Sequence, residues 1–272
     1  MNRKFIYPLV IILVTVAFYY TEDFLDENNS EEVRSEISVL SKNTSAEIEN
    51  FYLPAATGEI IKHKFYTLSY SEENEQASWV AYKLTKSHLS KNNFKRPYFN
   101  EDKLVKTKSA DWRNYKNSGY DRGHLCPAGD RIFSLEAYTE TFLTSNISPQ
   151  DREFNAGIWN RLEQKVRSWT KKYDSVYIFT GGVLRKNLKT IGSEKVTVPE
   201  EFFKIILHVS DSGYKTISFV IPNKKSSESF YKYAVSIDEI EAKTGIDFFP
   251  KLPDSIENVL ENTIELKSWR KK

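Results

Sequence analysis

Apolar and polar positions partly alternate over Glu59 to Tyr70 and Ser78 to Leu84, two stretches rich in aromatic and β-branched residues, and this pattern predicts paired strands. Three later runs, Ser175 to Thr180, Phe203 to Val209 and Thr216 to Ile221, are each bounded by Gly, Pro, Asn or Asp and predict further strands. Between the two sets the period changes. Ile158, Leu162, Val166 and Trp169 fall at spacings of four, four and three, an apolar stripe that predicts a helix over Asn155 to Lys172. A second helix is expected from Ser236 to Thr244, stopped by Gly245, and a last one around Ile256 to Trp269. Strands before and after one long helix, without regular strand and helix alternation, give an α+β domain rather than a doubly wound parallel sheet.

The first fifty residues show a different pattern. Arg3 and Lys4 precede an uncharged, largely apolar run from Phe5 to Tyr20, which Glu22 and Asp23 end. The run lies between the lengths of a signal-peptide core and a spanning helix, so residues 1–21 are expected to be a signal peptide or an N-terminal membrane anchor. The rest is then expected to be exported, periplasmic or extracellular, and held at the membrane if the segment is retained. Residues 22–50 are acidic and polar and read as a solvated linker. That leaves 51–272 for the folded domain.

Composition narrows the chemistry. A chain of 272 residues with 40% hydrophobic content can bury one substantial core. Its net charge of +2 predicts no polyanionic partner by excess alone, so attraction would depend on where the 39 basic residues sit. The single cysteine, Cys126, excludes an intrachain disulfide framework and a multi-cysteine zinc site.

Candidate chemistry concentrates in Gly119-Tyr-Asp-Arg-Gly-His-Leu-Cys-Pro-Ala-Gly-Asp-Arg131, a segment poor in periodicity that implies a loop or short hairpin. An imidazole titrates near neutrality, so His124 is the natural candidate for a general base, although a lone histidine more often bonds a backbone carbonyl. About twenty residues on, Asn155, Trp159, Glu163 and Arg167 recur every fourth residue and are expected along one helical face. An amide oxygen and a carboxylate on that face suit a hard cation such as Mg²⁺. Spacing alone is equally met by a solvated face with a Glu163 to Arg167 ion pair.

At these residues the chain resembles the DNA/RNA non-specific endonucleases, the family of Serratia-type nuclease and endonuclease G, which carry Asp-Arg-Gly-His followed by an Asn-rich helix. Asp121-Arg-Gly-His124, Asn146, Gln150, Asn155, Glu163 and Arg167 match that pattern in order. Trp79-Val-Ala-Tyr-Lys-Leu84, Arg96, Val198-Pro, Phe203-Lys and Thr244-Gly-Ile-Asp-Phe-Phe249 extend the similarity over roughly Phe51 to Pro253.

The resemblance implies a mainly antiparallel central sheet flanked by helices, containing a ββα-metal (His-Me finger) motif. It implies that His124 deprotonates the attacking water and that Asn155 ligates a largely hydrated Mg²⁺, with Mn²⁺ or another divalent cation as alternatives. Arg96 offsets charge on the transition state, and Glu163 bonds metal waters or orients Arg96. Arg122, Asn146 and Arg167 are expected as substrate contacts or their supports, and Asp121 as a tie for the loop. Gly123 is expected to permit a turn or close approach, and Cys126 to be a buried filler. DNA and RNA are the expected substrates, read without much regard to sequence and left with 5′-phosphates. The competing readings are a catalytically silent nucleic-acid-binding module and a phosphodiesterase acting on other phosphoesters.

Overall fold

The computed structural model describes residues 51–211 and 213–270; all of these except Ser210, Asp211 and Gly213 belong to one compact unit. The expected signal or anchor and the acidic linker lie outside the described residues. Among the described residues, no helix is long and apolar enough to cross a membrane.

The alternating stretch at 59–70 is a hairpin of two strands, β1 (Glu59–Lys62) and β2 (Thr67–Ser71), and β2 pairs with β3 (Gln76–Thr85). After a long excursion come β4 (Asp121–His124) and β5 (Ile147–Gln150), then β6 (Ser175–Gly182). Two short strands, β7 (Thr190–Ile191) and β8 (Val196–Thr197), precede β9 (Glu201–Ser210), β10 (Gly213–Pro222) and β11 (Ala234–Val235). Seven strands form one sheet in the order β1-β2-β3-β6-β9-β10-β11, with antiparallel registers for β1/β2, β2/β3, β3/β6, β6/β9 and β10/β11. The expected α+β class, a mainly antiparallel sheet flanked by helices, is what the fold shows.

The helices are α1 (Leu135–Glu140), α2 (Asn160–Tyr173), α3 (Ile237–Thr244), α4 (Asp254–Asn262) and α5 (Leu266–Arg270). Leu162, Val166 and Trp169 of α2 share a core cluster with Val80, Tyr82, Leu84, Val176 and Ile178, which lays the helix across β3 and β6. Each such side chain contributes about 1.5 to 3 kcal/mol by leaving water. Ser236 caps α3 by accepting from the Glu239 amide at 3.2 Å, and Gly245 ends it with φ 70°, as the sequence predicts. The expected terminal helix is two helices, α4 and α5.

The long central helix is not regular at its start. Asp151 caps a helical turn, Arg152–Phe154, by accepting from the Glu153 and Phe154 amides, both at 2.9 Å. Asn155–Trp159 is then π-helical, with Gly157 at φ −99° and ψ −108°, before α2 begins. One extra residue in a turn rotates the side chains on its N-terminal side by about 100° relative to those on its C-terminal side. The expected straight polar face through Asn155, Trp159, Glu163 and Arg167 is therefore interrupted, and Trp159 is fully buried in the core.

Candidate active site

β4 carries the Asp-Arg-Gly-His segment and pairs antiparallel with β5, placing Gly123 opposite Ser148 and His124 opposite Ile147. A Cβ built on Gly123 would fall inside the side chain of Gln150, so the glycine answers to close packing. Beneath the hairpin is a second core cluster that includes Phe99, Ala110, Tyr115, Phe142 and Ile147. Its aromatic rings form the floor on which the basic residues meet.

The His124 ring packs against Phe99 at 5.6 Å and edge-on against Phe142 at 4.9 Å between centroids. Its Nε2 is enclosed and has no hydrogen-bond partner. The residue as a whole is half-buried, and Nδ1 is not among the enclosed atoms. Burial, and then the positive charge of Arg96, lower its pKa to about 3, so the ring is uncharged at neutral pH. Arg96 reaches the same rings, its guanidinium 5.7 Å from the Phe99 centroid and 5.6 Å from that of Phe142. Arg122 lies over Phe99 at 4.8 Å and over Trp112 at 5.6 Å. Among the described residues, neither guanidinium has a carboxylate partner. Two free cations and a neutral imidazole thus share one aromatic shelf.

Asp121 faces the start of the helix, where its Oδ2 accepts from Nδ2 of Asn155 at 3.1 Å. The bond fixes the Asn155 carboxamide by its nitrogen and leaves Oδ1 as the end able to ligate a cation. An amide oxygen beside a carboxylate is a donor set suited to a hard divalent cation. A depression of about 360 Å³ opens beside this strand, lined among others by Trp112, Lys116, Asn117, Asp121 and Arg122.

Glu163 and Arg167 form a separate, more enclosed group. Arg167 donates from Nε to Asp130 at 2.6 Å, and its Nη2 is 3.7 Å from Glu163. Asp130 also accepts from the Tyr82 hydroxyl at 2.9 Å. Burial raises the Glu163 carboxyl to about 7, against the pull of Lys204 and Arg167. The Lys204 ammonium, itself lowered by burial, lies 4.6 Å over the Trp159 ring and donates to the Thr180 hydroxyl at 3.2 Å. The expected contact of Glu163 with Arg96 is absent from these pairings: Glu163 faces Arg167, and Arg96 faces aromatic rings.

Asn146, expected as a substrate contact or its support, lies in the interior as a brace. It is fully buried, its Oδ1 accepts from the Cys126 amide at 2.8 Å, and its Nδ2 donates to the carbonyls of Cys126 at 3.0 Å and Thr141 at 2.9 Å. Both N–H donors and one acceptor position of the side chain are thereby spent on holding the loop after His124 to the end of α1. Cys126 is buried, with its thiol pushed up to about 12 by burial, as a filler would be. Phe99, Phe142, Trp112, Asp130 and Lys204 join the site without having been expected there. Phe99 stands three residues after Arg96, and Asp130 lies in the motif segment, but among 17 phenylalanines no spacing singles one out.

The family model described as DNA/RNA non-specific endonuclease matches residues 44–255. The chain belongs to this family. It is 33% identical over 222 residues to a nuclease named EXOG, mitochondrial, from Danio rerio, covering 75% of this chain and 65% of that protein. It is 32% identical over 231 residues to the mitochondrial nuclease of Saccharomyces cerevisiae, covering 76% and 70%. The chain thus spans somewhat less than two thirds of the EXOG sequence. A solved chain from the complex of EndoG with EndoGI matches with TM-score 0.70 and 30% identity, over 76% of this chain and 92% of that one.

These relatives correct the expectation of export. The EXOG nuclease and the yeast nuclease named above are mitochondrial by name, and this contradicts the expectation of export. A short apolar run behind two basic residues reports a tendency to meet membranes; it does not carry the address.

Proposed function

We propose that the chain, through its domain at 51–272, is a metal-dependent endonuclease that hydrolyses phosphodiester bonds of DNA and RNA with little sequence preference. The observation that carries this reading is the aromatic shelf that an uncharged His124 with uncommitted nitrogens shares with the guanidiniums of Arg96 and Arg122, which have no carboxylate partner among the described residues. Family membership supports the same reading.

With its proton on Nε2, His124 accepts the proton of a water molecule at Nδ1, and the water oxygen attacks phosphorus. The P–O3′ bond then breaks, leaving a 5′-phosphate and a 3′-hydroxyl once the departing oxygen is protonated. Arg96 and Arg122 face the phosphate oxygens, where planar forks of N–H donors suit charge that grows in the transition state. Their seats on Phe99, Phe142 and Trp112 hold those forks without a competing carboxylate. Asn155, oriented by Asp121, would hold Mg²⁺ or a similar divalent ion. When bound, that ion supplies Lewis-acid stabilisation of phosphate charge. Glu163 and Arg167 set the electrostatics behind the helix, and contacts to phosphate rather than to base edges account for weak sequence selectivity.

The test is digestion of plasmid DNA and of RNA by purified protein, with Mg²⁺ and with chelator. Cleavage that needs the metal and is lost in His124→Ala is expected. Binding without cleavage under every metal condition would mean a silent module.

A further inference from the structure

A second concentration of charge lies away from the strand and helix that carry His124 and Asn155. Helices α3 and α4 bury Ile237, Ile240, Ile256 and Leu260. At this same end of α4, Glu261 is only 8% exposed. Its Oε1 is enclosed and accepts no hydrogen bond. A buried carboxylate oxygen left in that state is destabilising unless a proton or a cation satisfies it.

The surroundings decide between these. Carboxylate oxygens of Asp238, Glu241 and Glu261 lie within 4.8 Å of one another, and so do those of Asp247, Glu257 and Glu261. Glu261 is thus common to two acidic triads, drawn from α3, α4 and the loop between them. Glu241 also accepts from the Phe248 amide at 2.6 Å, which fixes its carboxylate in place. The buried Glu261 thus has the carboxylates of Glu241, Glu257, Asp238 and Asp247 as its neighbours. One proton could neutralise Glu261 but would leave its four neighbours repelling one another. A doubly charged ion held by Glu261 and either triad would offset that repulsion.

We propose that Glu261, with Asp238 and Glu241 on one side and Asp247 and Glu257 on the other, forms a divalent-cation site of calcium type that locks α4 against α3. Oxygen-only donors from three segments, some exposed and some buried, suit the larger ion's six to eight flexible ligands better than the strict octahedron of Mg²⁺. The site is built from different residues than the Asn155 site and serves stability, not hydrolysis.

Metal-stripped full-length protein is titrated with CaCl₂ by calorimetry and by thermal unfolding at pH 7.5, alongside Glu261→Gln, Asp238→Asn and Glu257→Gln. Wild type is expected to gain about 4 °C or more in Tm at millimolar Ca²⁺, and Glu261→Gln to lose that gain together with one binding equivalent. Asp238→Asn and Glu257→Gln keep the metal-free Tm within about 2 °C and weaken the same equivalent about tenfold, which preserves the test if the buried variant folds poorly. Equal Ca²⁺ responses in wild type and these variants overturn the proposal. So does a wild type that takes up no Ca²⁺ while Glu261→Gln melts higher than wild type in chelator, since a proton on Glu261 would then be the satisfying group.

Discussion

Nδ2 of Asn155 donates to Oδ2 of Asp121 at 3.1 Å, tying the first residue of the motif strand to the first residue of the π-helical turn. The carboxylate accepts only, so it dictates which end of the Asn155 amide faces outward. Asp121→Ala is therefore expected to leave the fold intact while letting the carboxamide rotate, raising the Mg²⁺ concentration for half-maximal cleavage about tenfold. Asn155→Ala should raise it further. Unchanged metal dependence in both variants, measured by initial rates against Mg²⁺, would remove this pair from the metal site.

His124→Ala is expected to lower cleavage by at least about 100-fold in protein that remains folded, because a general base is lost, with only a modest drop in melting temperature as the ring's contacts with Phe99 and Phe142 go but an unpaired enclosed nitrogen goes with them. The pH profile carries separate information. Burial and Arg96 hold the imidazole neutral down to about pH 3, so the acid limb of activity should lie below that of an unperturbed histidine. Arg96→Met removes the second of these causes. Its acid limb should shift upward, beyond any drop in rate from losing a phosphate contact. A limb that stays in place while the rate falls would confine Arg96 to substrate binding.

A histidine outside the site sets a different pH dependence. His63 is bonded through Nε2 to Asp102 at 2.8 Å, with Glu140 3.6 Å from its Nδ1. Burial alone would lower its pKa, but the two carboxylates outweigh burial and raise it to about 9. The folded-state value exceeds the unfolded one, so this stabilisation is complete below about pH 6.5 and is lost as pH rises toward 9. The contribution is on the order of 3 kcal/mol. Glu163 and Glu261, also raised, lose stability in the same direction. The decisive measurement is thus the difference between wild type and His63→Gln in urea melts from pH 6 to 9. It should shrink across that window, and a constant difference would show that the ion pair does not titrate there.

How much of this is legible in the sequence depends on the range of the interactions involved. The strands and the α2 stripe are legible because alternation and the 3.6-residue period are local consequences of burial on one face. The pairing of Ser236 with Glu239 and the stop at Gly245 are likewise local, and the fold contains both. The π-turn at Asn155–Trp159 is not legible, since nothing in the spacing of Ile158, Leu162, Val166 and Trp169 reports an extra residue in the turn that holds Ile158. The shelf of Phe99 and Phe142 depends on chain segments more than forty residues apart, which no pattern along the chain connects. Asn146 stands out through resemblance, but its use as a brace depends on carbonyls at Cys126 and Thr141 that only the fold brings to it.

Gly123 faces Gln150 so closely that a methyl group has no room. Gly123→Ala is expected to destabilise the protein by about 2 kcal/mol, since the clash lies in a buried hairpin. The Gln150 amide is itself enclosed and without a hydrogen-bond partner, so shortening it should cost little. Gly123→Ala with Gln150→Ala should recover most of the loss, a coupling readable in a double-mutant cycle. Additive losses would place the need for glycine in the backbone instead of in this contact.

Asn146 offers the sharpest separation between bracing and binding. Removing its carboxamide strands an amide and two carbonyls in the interior, so Asn146→Ala should lose about 3 kcal/mol of stability. The loop from Leu125 onward, which carries the chain away from His124, should loosen first, visible as faster amide exchange at Leu125 and Cys126. Molecules that remain folded at low temperature should still cleave within a few fold of wild type, because no polar atom of Asn146 reaches the surface. An Asn146→Ala protein with normal stability and a large loss of cleavage would return this residue to the substrate.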